Sequence, residues 1–129
     1  AGIDLIVPHG TKVLAATDGV VNYISYGFYA GTDAIITKNS DGTWFTYGEI
    51  SPKVSVNSKV IKGQVIGTVI ANNSSGASML HFEAYRGDYE SNVLNNNGIY
   101  KYVSNKNYNR RADLIDPSFV ASLPMYNNG

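Results

Sequence analysis

Lys62-Gly63-Gln64-Val65-Ile66-Gly67 and, beyond the turn-rich Asn72–Gly76, Met79-Leu80-His81-Phe82-Glu83 are the stretches whose reading decides the fold. The first is a glycine turn feeding a valine strand. The second alternates, and strand geometry sends Met79, His81 and Glu83 to one face and Leu80 and Phe82 to the other. A histidine on a strand whose opposite face is strongly apolar is held as a rigid metal ligand should be. The plainer reading of the same residue is a half-buried imidazole donating to a backbone carbonyl.

The same texture extends outward. Lys12–Ala16, Gly19–Tyr26, Thr32–Lys38, Thr43–Ile50, Val60, Val65–Ile70 and Leu80–Tyr85 are short apolar or β-branched runs separated by turn residues, which predicts strands. Asn39-Ser40-Asp41-Gly42 predicts a hairpin, because Asp-Gly supplies the positive φ that tight hairpins require. Pro52 is expected to break the strand before it. Turns at this spacing predict an all-β, antiparallel sandwich or barrel, and a repeated half-motif of the kind found in barrel-sandwich hybrid folds accompanies it. Thr11–Val20 echoes Ser58–Gly67, each reading polar-Lys-Val, glycine turn, valine strand. Either a duplicated half-motif or chance likeness of two valine-rich hairpins accounts for it. After Arg86 the texture turns polar, and Gly87–Asn109 reads as a long surface loop. Arg110–Leu123 predicts one short C-terminal helix, with Asp116 as N-cap and Pro117 at the first helical position.

The chain has 129 residues, enough for one domain with its own core. Residues 1–129 are read as a single domain. Its opening, Ala1-Gly2-Ile3-Asp4-Leu5, resembles the middle of a strand and predicts a truncated N-terminus. With no cysteine, disulfides and thiolate metal sites are excluded. Ten basic residues balance ten acidic ones, which argues against a nucleic-acid partner. No apolar run reaches the roughly 20 residues of a membrane helix. Ten tyrosines and thirteen glycines favour strands and turns, and suit a wet groove that handles sugars or peptides.

Only two histidines are present, so histidine chemistry has few options. His9, in Val7-Pro8-His9-Gly10, reads as a turn residue. Asp4 is an acid inside the apolar run Ile3–Val7. It is either paired or coordinated, or it caps a turn or faces solvent on an edge strand. Glu49 ends Trp44-Phe45-Thr46-Tyr47-Gly48-Glu49-Ile50, where Gly48 permits a bulge or a close approach. An exposed strand-end carboxylate is the alternative.

In this order, Ala1-Gly2-Ile3-Asp4, Gly10-Thr11-Lys12-Val13, Asp18-Gly19-Val20-Val21, Tyr47-Gly48, Gly63-Gln64-Val65-Ile66-Gly67, Leu80-His81-Phe82-Glu83 and Asp116-Pro117 resemble the LytM/lysostaphin-type (M23) metallopeptidase domain. The resemblance covers nearly the whole chain. It implies Zn2+ as cofactor, with Asp4 and His81 as metal ligands and the third protein ligand at the position just before Ala1. It also exposes two departures. The position of a catalytic His in the family's Tyr-x-His motif is Glu49, and the first position of its His-x-His motif is Met79. Methionine can neither transfer a proton nor donate a hydrogen bond. A glutamate can act as general base, so Glu49 is the candidate catalytic residue. Two other barrel-sandwich families fit less well: biotinyl or lipoyl carriers need an exposed hairpin lysine, and glucose-type phosphotransfer domains need paired histidines.

Two functions follow from the resemblance. One is a zinc metalloendopeptidase that hydrolyses peptide bonds of bacterial peptidoglycan. The other is a catalytically degenerate cell-wall-binding or scaffold module on the same fold. Either implies an extracellular, periplasmic, envelope or phage-virion setting, with peptidoglycan peptide as partner and a place in a larger envelope or phage tail protein.

Overall fold

The structure is a computed structural model, and it describes residues 3–86, 114–115 and 126–127. The described elements are strands: β1 (Ile3–Ile6), β2 (Lys12–Leu14), β3 (Gly19–Tyr29), β4 (Thr32–Asn39), β5 (Trp44–Pro52), β6 (Lys59–Val60), β7 (Val65–Val69), β8 (Met79–Tyr85), β9 (Leu114–Ile115) and β10 (Tyr126–Asn127). Every pairing among them is antiparallel. The all-β, antiparallel expectation therefore holds. The polar segment 87–109 and residues 116–123 of the expected helix lie outside the described residues. Leu114–Ile115, just ahead of the expected N-cap Asp116, are strand and pair with Tyr85 and Ala84.

The hairpin at Asn39–Gly42 forms as its residues require. Gly42 takes φ +91°, Gly42 N–H donates to the Asn39 carbonyl at 2.9 Å, and the Asp41 carboxylate accepts from Thr43 N–H at 3.0 Å. Pro52 ends its strand, as expected. It is the last residue of β5, opposite Gly67, a position where its missing N–H removes little from the ladder.

The internal repeat is structural. β2 of the first copy pairs with β7 of the second, with Val13 opposite Gly67. Reciprocally, β3 of the first copy pairs with β6 of the second, with Gly19 opposite Val60. Each copy thus completes the other, which is how a duplicated half-motif buries two valine hairpins that neither could cover alone.

β5 is the seam of the sheet. Its first part, Trp44–Gly48, pairs with β8; its last part, Ile50–Pro52, pairs with β7. The residue at which it changes partner is Glu49. Opposite β4 the register slips there too, from Ala34↔Gly48 to Asp33↔Ile50, so Glu49 is the extra residue of a bulge. Both branches face one core. Val13, Ile66 and Val69 come from the β2–β7 side, Leu80, Phe82 and Ala84 from β8, and Phe45, Tyr47 and Ile50 from the seam. Phe82 is at its centre, with ring centroids 5.0 Å from Phe45 and 5.4 Å from Tyr47.

Candidate functional site

The face of β8 away from that core carries His81, flanked in sequence by Met79 and Glu83, as alternation predicts. β8 is paired on both sides, to β1 and to β5, so His81 stands on an immobilised strand. Asp4 lies directly opposite it on β1, and Gly48 directly opposite on β5.

This register brings Asp4 and His81 together. Asp4 Oδ1 is 2.8 Å from His81 Nδ1. The Asp4 side chain is half exposed and it has a partner, and β1 pairs only with β8 among the described residues. The other ring nitrogen, Nε2, is 2.6 Å from Glu83 Oε2. His81 therefore serves two carboxylates, and the reading in which it donates to a backbone carbonyl fails.

Glu49 joins them because of the bulge. Regular alternation along β5 would send residue 49 into the core with Phe45 and Tyr47. At φ +63° Glu49 instead turns to the His81 face, and Ile50 takes the core position. Ligand atoms of Asp4, Glu49 and His81 all lie within 4.8 Å of one another. Glu49 is not an exposed strand-end acid; it retains 7% of its accessible surface. Asn72 is near enough to lower the carboxyl's pKa slightly, while Oε1 is buried with no partner among the described residues. A buried oxygen left unpaired costs stability unless something fills its coordination. That orphan, beside a nitrogen and a carboxylate oxygen, is the donor chemistry a zinc site uses, and the residues fit such an ion.

Gly48 meets the close-approach expectation rather than being the bulged residue. A Cβ there would fall 2.5 Å from the Phe28 ring, which packs 5.9 Å from the His81 ring and walls the site. Phe28, Asn72 and Glu83 all shape the site, yet sequence reading gave none of them a role in it. Only Glu83 left a signal, sharing the face of His81. Met79 is partly exposed and lies opposite Ile6. It contributes no ligand atom. His9 is a turn residue as expected, and its Nδ1 accepts Ala71 N–H at 3.0 Å, tying down the segment before Asn72. Tyr47 points away from the site, and its hydroxyl accepts Ala16 N–H at 3.0 Å inside the core.

Electrostatics follow the geometry. Burial, then the neighbouring Asp4 charge, hold the Glu49 carboxyl above the usual carboxylate range, against opposition from His81 and Asn72. Burial alone would lower His81, but the hydrogen bond and charge of Glu83, then those of Asp4, raise it. Both groups bind protons more tightly folded than unfolded. Their stabilising contributions are therefore present below the unfolded values, about 4.3 for Glu and about 6.5 for His, and are lost as pH rises through the raised folded values. Metal-free protein in chelator should accordingly melt at a higher temperature near pH 5.5 than near pH 8, and His81→Asn should flatten the difference. A wild-type melting temperature that climbs over this interval would contradict the arrangement.

These observations agree with comparisons to known proteins. The chain belongs to Peptidase family M23, whose family model matches residues 1–95. It is 30% identical to the cell division protein DipM of Caulobacter vibrioides over 83 residues, covering 64% of this chain and 14% of that protein. It is 33% identical to the DD-carboxypeptidase/endopeptidase Mpg of Neisseria meningitidis over 84 residues, covering 64% of this chain and 19% of that protein. The matched stretch is thus under a fifth of either relative's length. Among solved structures, the catalytic domain of the antimicrobial peptidase lysostaphin from Staphylococcus simulans superposes with TM-score 0.68 at 25% identity, covering 94% of this chain and 78% of that one. A catalytic-domain variant of the prophage-encoded M23 protein EnpA from Enterococcus faecalis gives TM-score 0.58 at 31% identity, covering 67% of each chain.

Proposed function

We propose that this chain is one peptidase domain, residues 1–129, that hydrolyses peptide bonds of bacterial peptidoglycan with a divalent zinc ion, working outside the cytoplasm in the envelope or a phage particle. The observation that carries this reading is the convergence of Asp4, His81 and Glu49, with Glu49 Oε1 buried and unpartnered beside the other two. Family membership and the likeness to lysostaphin and Mpg support the substrate class.

Asp4 and His81 Nδ1 would hold the ion, with the family's remaining ligand at the position just before Ala1. When bound, zinc supplies Lewis acidity, polarising a scissile carbonyl and lowering the pKa of water. Glu49 Oε1 takes a proton from the attacking water as its oxygen bonds to the carbonyl carbon. The same proton then passes from Oε1 to the amine as the C–N bond breaks. A carboxyl held above its usual range is a stronger base than an exposed one, and its burial keeps the proton from being lost to solvent. Phe28 and Gly48 keep this pocket narrow on the β3 side.

The test is digestion of purified peptidoglycan by the zinc-loaded chain. New amino termini should appear, and they should disappear with chelator. Stoichiometric zinc without new termini would overturn the peptidase reading. Met79 favours the competing reading, a wall-binding module without activity, because it removes a proton-handling group from the site. That reading expects binding to intact peptidoglycan with or without chelator, and no new termini.

A further inference from the structure

We propose that Glu83 and Tyr85 are positioning residues that hold the His81 imidazole with its proton on Nε2, and so make Nδ1 the nitrogen that faces a metal. The proposal deepens the metal reading of this site and rests on it.

Three alternate residues of one strand form the device. His81, Glu83 and Tyr85 share a face of β8, and Glu83 and Tyr85 are both fully buried. Glu83 Oε2 lies 2.6 Å from His81 Nε2, and Glu83 Oε1 accepts the Tyr85 hydroxyl at 2.5 Å. An ionised carboxylate can only accept. Both ring nitrogens face carboxylates, but Glu83 is the fully buried one and is anchored by the Tyr85 hydroxyl, whereas Asp4 is half exposed; taken as ionised, Glu83 is the fixed acceptor that keeps the hydrogen on Nε2. In the neutral ring the lone pair is then left on Nδ1, which points at Asp4 from 2.8 Å.

Burying an acid this completely is costly unless its oxygens are matched. Here each has a donor, and neither is spent on Asp4 or Glu49. One of those oxygens is matched to the ring itself, which is what gives the carboxylate a hold on His81. The strand adds rigidity: Glu83 faces Thr46 and Tyr85 faces Trp44 across the β5 ladder, so the ring is oriented from a paired backbone. Carboxylate–histidine–metal arrangements of this kind fix tautomer and ring orientation.

Glu83→Gln is the discriminating change, because an amide can donate to Nε2 and admit the wrong tautomer, as Asn does beside a catalytic histidine in serine proteases. The readout is the ring nitrogens of His81 by 1H–15N correlation, at a pH where the ring is neutral, together with zinc affinity by titration. His9 is the only other histidine, so the signals separate readily. Wild type should show the Nε2–H tautomer. Glu83→Gln should show a mixture and about 10- to 100-fold weaker zinc binding. Tyr85→Phe keeps the carboxylate and should retain the tautomer with a smaller loss of affinity. An Nδ1–H tautomer in wild type would overturn the proposal, as would an unchanged tautomer and affinity in Glu83→Gln. If Glu83→Gln does not fold, the wild-type tautomer and the Tyr85→Phe titration decide. If wild type binds no zinc, the metal reading falls, and the tautomer in the metal-free protein still tests the positioning role.

Discussion

Glu49→Gln should keep the fold and the bound zinc but lose roughly 10²- to 10⁴-fold in peptide-bond hydrolysis, the range general-base removal produces. Glutamine matches glutamate in shape. It cannot accept a proton from water. Neither residue is β-branched, so the left-handed backbone at φ +63° is no harder for one than for the other. Melting temperature should therefore hold or rise slightly, since the substitution removes a buried acid. Zinc content, measured by elemental analysis beside the turnover, separates two roles for Oε1. Activity lost with zinc retained is the signature of the base. Activity and zinc lost together would make Glu49 a ligand instead, and unchanged activity would place the base elsewhere.

Phe82→Ala should cost about 3–5 kcal/mol, the usual range for a fully buried ring cut to a methyl. Phe82 has no exposed surface, and its ring packs on Phe45 and Tyr47 from the seam strand. It also joins the two branches of the sheet, because the β2–β7 residues and the β8 residues share this core. A cavity here cannot close without moving β5. The expected fall in melting temperature is roughly 10–20 °C for a domain of this size. Urea denaturation gives the free energy directly. A loss under about 1 kcal/mol would mean that the neighbouring rings refill the space, which is far below the cavity range.

Local patterning made much of this legible. Alternation alone put His81 and Glu83 on one face and Leu80 and Phe82 on the other, because a strand period of two leaves no choice. Gly42 and the repeat at Lys12 and Lys59 could likewise be read from short stretches. The site itself is a matter of register. That Asp4 meets His81 depends on β1 pairing with β8 from the far end of the described chain, and spacing does not encode such a pairing. Residue patterning singled out His81, Asp4 and Glu49 as candidates, and the family resemblance gave them their roles and put them in one site. Least legible was the bulge. Gly48 advertised an irregularity, but the residue that adopts positive φ is its neighbour, a glutamate, which ordinary propensity would not choose. Nor could patterning show that Glu83 is wholly buried, since an acid in a strand is usually a solvent-facing one.

The partner exchange along β5 has a consequence for how this position can evolve. Residue 49 is screened by the backbone before any chemistry is asked of it. Left-handed geometry admits asparagine, aspartate, histidine and glycine more readily than other residues and shuts out β-branched ones. A newcomer must first be tolerated at the hinge between two ladders, and only then be useful to the cluster beside it. Histidine, the residue the family motif has at this point, passes that screen with ease. Glutamate passes it at some cost in backbone energy.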